Sequence, residues 1–192
     1  MGVCCAMFGA EEAALKYFQM SYKVRKGLSA GEHDEIVSDS LFNMACVYAK
    51  LGMFSESIDC YEKCLKIRIE TYGDDNLLVA KTYNDMAIVY ARSKKYDRAL
   101  ICFKEQLDVL KLIEPSDSEK IASALHNTGN MHILGQTKNN DAAVKYYKES
   151  LRIYKILPGD HTSVITKIEE RMKILDRFNL TAEEVIVKPN AN

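Results

Sequence analysis

"YAKLGMFSESIDCY" (Tyr48–Tyr61) returns forty-two residues later as "YARSKKYDRALICF" (Tyr90–Phe103). Both stretches start on an aromatic and place another six residues on (Phe54, Tyr96). Both put a small residue nine on (Ser57, Ala99), follow it with an aliphatic (Ile58, Leu100), and end on an aromatic. Upstream, "FGAEEAALKYF" aligns Gly9 with Gly52, Ala14 with Ser57, Leu15 with Ile58 and Phe18 with Tyr61. Downstream, "NNDAAVKYYKESLRI" sets Ala143, Val144 and Tyr147 in the same slots. Its Leu151 and Ile153 match Leu65 and Ile67, then Leu107 and Val109. The small slot therefore recurs at 14, 57, 99 and 143, in steps of 43, 42 and 44, the longer last step absorbed by the turn "GQTKNN". A period of this size marks stacked supersecondary units.

Each unit reads as two helices. Apolar residues recur at steps of three and four in "LFNMACVYAKL" (Leu41, Met44, Ala45, Tyr48) and in "SIDCYEKCLKI" (Ile58, Tyr61, Cys64, Leu65). Gly52 closes the first helix of its unit, and Lys94 holds that place in the next at some conformational cost. The polar stretches "GLSAGEHDE", "TYGDDN", "EPSDSE" and "LPGDHTS" separate the units. Of the three prolines, Pro115 and Pro158 fall in these connectors and Pro189 near the end.

The chain has 192 residues, 47% hydrophobic, which suits a folded protein and exceeds what disorder allows. Its 26 basic and 27 acidic residues leave a net charge of −1, so no global field draws it to nucleic acid or anionic lipid. No apolar run approaches the roughly 18 residues that cross a bilayer. The opening "MGVCCAMFGAEEA" lacks a basic leader and turns acidic by Glu11, unlike a secretory signal. Four of the six cysteines (Cys46, Cys60, Cys64, Cys102) lie within apolar helical patterns, where a reduced thiol serves as a small hydrophobe. Cys60 and Cys64 have no second pair or spaced histidine to complete a metal set. A reducing, cytoplasmic setting is expected, in which the sequon Asn179-Leu180-Thr181 has no role.

The repeat resembles the tetratricopeptide repeat, and the longer unit is similar to the subtype of kinesin light chains. The connectors "GEHDEIV", "GDDNLLVA" and "GDHTSV" and the helix openings "FNMACVY", "NDMAIVY" and "HNTGNMH" carry the likeness, which covers about residues 2–178. It implies an all-α, right-handed superhelix of antiparallel helix pairs. The expected organisation is a partial repeat (2–30), repeats at 31–72, 73–115 and 116–158, a capping helix at 162–178 and a disordered tail at 179–192. Within the tail, Thr181–Glu184 has the pattern of a new helix start. Three departures stand out. Gly129 and His132 replace the alanine and tyrosine of earlier units, and Gln106 fills a slot held elsewhere by Ser21, Cys64 and Ser150, predicting looser packing there.

The two ends differ. "SVITKIEERMKILDRF" has an apolar side (Val164, Ile168, Met172, Leu175) and polar residues elsewhere, as a capping helix requires. The other end offers the apolar stub Val3, Cys4, Cys5, Met7 and Phe8. It reads as part of a longer array, as a surface for self-association or a partner, or as a lipidation site at Gly2, Cys4 and Cys5. Ala6 departs from the Ser or Thr that myristoylation prefers.

No catalytic, metal or cofactor constellation appears: phosphate loop, nucleophile elbow and zinc-helix motifs are all missing. His33 and His161 occupy matching connector positions and are expected to cap helices. The family resemblance implies instead that first helices line a concave groove for extended peptides. Carried over residue by residue, that groove holds Asn43, Asn84 with Asp85, and His126 with Asn127. Lys50, Arg92 and Asn130 lie further along the same faces, and Lys81 one turn earlier. Asparagine offers donors and an acceptor to a peptide main chain, and the lysines and arginine favour acidic ligands. The chain is expected to be a non-catalytic adaptor for protein or peptide partners. The alternatives are the regulatory array of a larger enzyme and an acylated scaffold.

Overall fold

The structure, a computed structural model, describes residues 11–28, 35–136 and 138–186. These form helices and no strand: α1 (Glu11–Leu28), α2 (Glu35–Lys50), α3 (Phe54–Tyr72), α4 (Leu77–Arg92), α5 (Tyr96–Ile113), α6 (Glu119–Leu134), α7 (Asn140–Ile156) and α8 (Thr162–Ile186). They fall into two compact units, Met1–Ile113 with α1–α5 and Glu114–Asn192 with α6–α8. The apolar stub, Gly2, Cys4 and Cys5, the residue His33 and positions 187–192 lie outside the described residues.

Small residues set how closely paired helices approach. Ala14, Ser57, Ala99 and Ala143 are all fully buried. In the first unit Ser57 Oγ donates to the Ala45 carbonyl at 2.8 Å, stapling α3 to α2. In the second, Ser150 Oγ donates to the Ala122 carbonyl at 2.7 Å, stapling α7 to α6. Around these contacts Tyr61, Phe103 and Tyr147 fill the repeated aromatic slot and are buried.

Helix ends follow local chemistry. Asn76 accepts from the Leu78 amide at 2.8 Å and Asn139 from the Ala142 amide at 2.8 Å, while Ser118 accepts from Ile121 at 3.3 Å, so each satisfies an orphan donor of the helix it opens. Asp160 does the same for Thr162 at 3.0 Å. His161 therefore does not make that cap as expected; its Nε2 meets the Pro158 carbonyl and its ring leans on Tyr154. At the turns between paired helices Gly52 has φ +77° and Lys94 has φ +60°, the same left-handed step made by two residue types.

One expectation needs revision. α8 continues to Ile186, through Thr181–Glu184 and past the boundary set at 178, because no glycine or proline occurs from Thr162 to Ile186 to stop it. At the slot where looser packing was expected, the Gln106 side chain is buried, and its carbonyl oxygen has no partner among the described residues.

Candidate peptide-binding faces

In the first unit, α2 and α4 present matching positions at a spacing of 42: Asp39 and Lys81, Phe42 and Asn84, Asn43 and Asp85, Cys46 and Ile88, Lys50 and Arg92. Asn43 and Asp85 thus share one register, whereas Asn84 stands one residue earlier, level with Phe42. Asn84 Nδ2 donates to Asp85 Oδ1 at 2.8 Å, so its amide is engaged within the chain. Asn43 is half-buried and makes no side-chain hydrogen bond among the described residues.

The charges of this face converge on aromatic rings. Lys81 Nζ lies 4.9 Å from the centroid of Phe42, and Arg92 Cζ lies 5.3 Å from that of Phe54. Both cations remain exposed, as does Lys50. A cation held over a ring keeps its charge available to a second partner while losing rotamer freedom. Burial pushes the Asp85 carboxyl up from its usual range, against the lowering effects of the Asn84 amide, Lys81 and Arg68. Burial likewise raises the Cys46 thiol, whose sulfur lies 3.2 Å from the Tyr61 hydroxyl. Cys60 and Cys64 are pushed to about 11 and Cys102 to about 12, again by burial first, which makes all three poor nucleophiles.

Behind this face lies a contact that sequence reasoning missed. Arg68 on α3 is buried, and it reaches Asp39 Oδ1 on α2 at 2.8 Å. It also reaches the Leu78 carbonyl and Thr82 Oγ1 on α4, at 3.1 and 2.8 Å. Its guanidinium also sits 4.6 Å from the centroid of Phe42. The corresponding slots hold Arg25, Leu110 and Tyr154, the last two buried, so only the register of the repeat could have marked Arg68 as a core residue.

In the second unit His126, Asn127 and Asn130 lie on α6. Asn130 Oδ1 accepts from the Tyr147 hydroxyl at 2.7 Å and from Arg171 on α8, so its acceptor is committed to the fold. Burial, with Arg171 and Lys167 nearby, lowers the pKa of His126 to about 4 and keeps the ring neutral. Asn127 is half-buried and, like Asn43, has no side-chain hydrogen bond among the described residues. Beside these residues Ile133, Leu134, Ile174 and Leu175 line an apolar depression with Asn130 and Arg171 at its margin.

No cluster of three His, Cys, Asp or Glu side chains that could hold a metal occurs among the described residues. No helix among them is long and apolar enough to cross a membrane.

Helix pairs stapled through small residues and repeated at a near-constant spacing define a helical-repeat protein. The tetratricopeptide repeat pattern matches residues 36–111 and 79–156, and the chain belongs to that family. It is 26% identical over 177 residues to Protein KINESIN LIGHT CHAIN-RELATED 2 of Arabidopsis thaliana, a match over 91% of this chain and 26% of the relative's length. BtubC (BKLC) from P. vanneervenii superimposes with a TM-score of 0.77 at 17% identity, over 100% of this chain and 81% of that one. A Podosopora anserina structure of nearly identical TPR-like repeats gives 0.77 at 14% identity, over 95% and 85%. The fold is the all-α solenoid fold of these proteins. Tetratricopeptide repeats generally bind protein partners, and the family is typically non-catalytic.

Proposed function

We propose that this chain is a non-catalytic, cytoplasmic adaptor whose first-helix faces hold extended peptide segments of partner proteins, with a preference for acidic residues. The observation that carries this reading is the pair Asn43 and Asn127. They stand at the same position of their repeats, half-buried, with donors and acceptors that the described residues leave unused. These amides reach solvent, and an extended main chain can satisfy both their donors and their acceptors. On α2 and α4, Lys50, Lys81 and Arg92 supply positive charge. On α6 and α8 the depression beside Arg171 suits an apolar side chain.

Binding of an array of acidic and basic linear peptides to the wild type, to Asn43→Ala/Asn127→Ala and to Lys50→Glu/Arg92→Glu tests the reading. Each lost amide contact should weaken binding by about 1 kcal/mol, and the charge reversal should abolish the preference for acidic peptides. An unchanged profile in both variants, at wild-type helicity, would exclude these faces as the peptide site.

A further inference from the structure

The connector that opens α6 reads Glu114-Pro115-Ser116-Asp117-Ser118-Glu119. The Ser118 amide donates to the Pro115 carbonyl at 3.0 Å and closes a turn with Ser116 and Asp117 at its tip. The two serines differ. Ser118 is half-buried, and its Oγ accepts from the Ile121 amide as the cap of α6. Ser116 is exposed, and its hydroxyl makes no hydrogen bond among the described residues. Acidic side chains follow Ser116 at the first and third positions (Asp117, Glu119), and Glu114 precedes it by two. No other serine or threonine of the chain has an acid at both of those following positions.

The repeat gives this position a second meaning. In register, Pro115-Ser116-Asp117-Ser118 matches Gly31-Glu32-His33-Asp34, Gly73-Asp74-Asp75-Asn76 and Gly159-Asp160-His161-Thr162. Three connectors thus carry a carboxylate, Glu32, Asp74 and Asp160, where the fourth carries a hydroxyl. A phosphoserine there restores, reversibly, the negative charge that the other connectors hold permanently. A cation already stands beside it. Arg152 on α7 is exposed and donates to Asp117 Oδ1, one residue from Ser116, at 2.7 Å and to Glu149 Oε1 at 2.8 Å. A phosphate brings more charge and more acceptor oxygens to a guanidinium than either carboxylate does.

We infer that Ser116 is a phosphorylation site for an acid-directed serine/threonine kinase, and that Arg152 holds the phosphate once it is attached. Ser116 Oγ attacks the γ-phosphorus of magnesium-bound ATP. The new O–P bond forms as the bond to the β-phosphate oxygen breaks, ADP leaves, and the hydroxyl proton passes to the kinase. Kinases tell substrates apart by charge pattern, and a basic substrate groove reads Asp117 and Glu119. Asp117 exchanges Arg152 for the kinase at this step, and ion pairs this exposed are weakly held. A turn closed by a single backbone hydrogen bond opens readily into the extended form that a kinase groove takes.

The test uses the 192-residue chain, an acid-directed casein kinase and magnesium-ATP. Intact mass should rise by one phosphoryl increment, and fragmentation should place it on Ser116. Ser116→Ala should lower the initial rate of labelling at least tenfold, and so should Glu119→Lys, which reverses the charge at the third position. Because the Ser116 hydroxyl is exposed and unbonded, Ser116→Ala should keep wild-type helicity by circular dichroism. Phosphorus NMR then reads the surroundings of the phosphate. Its second pKa should be lower in the wild type than in Arg152→Gln, since a cation favours the dianion. Asp117, Glu119 and Glu149 are present in both, so the difference reports the guanidinium. Label placed on Ser118 or another residue instead of Ser116 overturns the phosphorylation site. So does an unlabelled chain under conditions that label a peptide of residues 111–122. Identical titrations in the wild type and Arg152→Gln overturn the Arg152 contact.

Discussion

Gly129 shows how one atom is excluded by packing. A Cβ built there would meet the ring of Tyr147 at 2.7 and 2.8 Å, and that ring is fully buried. Ala45 and Ala87 occupy the same slot earlier in the chain, each fully buried. Gly129→Ala gains about 1 kcal/mol of helix propensity but forces the ring to shift, at about 1–3 kcal/mol for overpacking. A net loss is expected, seen as a lower midpoint of thermal unfolding. His126 supplies a pH dependence of known sign. Its folded pKa, about 4, lies below the ordinary 6.5, so only the unfolded chain takes up a proton between those values. The stability associated with the neutral ring is complete above pH 6.5 and drains away as the pH falls towards 4. Denaturant titrations at pH 7 and pH 5 should show that loss, and His126→Gln should reduce it. Single side chains were the least legible part of the sequence. Asn43 and Asn127 could be placed by motif, but Asn84 is tied to Asp85 and Asn130 to Tyr147 and Arg171, pairings that depend on rotamers and on a neighbouring helix. Arg68 was not singled out by the sequence, because nothing in its local pattern reveals Asp39 or Thr82.

Elements were far more legible, since a helix pair is written in short-range periodicity and turn chemistry. The repeated small and aromatic slots marked which faces of α2 and α3 meet. Asn76, Ser118 and Asn139 mark helix starts in the ordinary way. Where the reading fell short, a local signal met a stronger neighbour: the capping pattern at Thr181–Glu184 lies inside α8 because the preceding helix has nothing to end it. The turn at Lys94 offers a test at this scale. A lysine at φ +60° bears a left-handed penalty of about 1–2 kcal/mol, which glycine avoids at some cost in unfolded-state entropy. Lys94→Gly should therefore raise stability by about 0.5–1 kcal/mol. The matching Gly52→Ala should lower it by a similar amount, because open space around Gly52 leaves backbone strain as the main term. Equal melting temperatures for Lys94→Gly and wild type would show that the surrounding turn absorbs the strain.

For the whole molecule, the repeat spacing marked a stacked array, because a solenoid is a local rule applied again and again, and the helical periodicity within each unit together with the family resemblance supplied the fold class. The same logic gives Arg68 a role beyond its own bonds. It is anchored in α3, holds Asp39 within its own helix pair and grips α4 of the next. In a stacked array, cooperativity depends on how strongly neighbours are coupled relative to how stable each repeat is alone. Arg68→Ala should cost about 3–5 kcal/mol or somewhat less, since Asp39 is half open to solvent and loses little on release. Its more telling effect should be on the shape of the transition: a shallower denaturant slope, with amide exchange in α2 and α3 no longer matched to that in α4 and α5. One guanidinium would then set the size of the block that melts together, making the length of the cooperative unit, and not only its stability, something a single residue can tune.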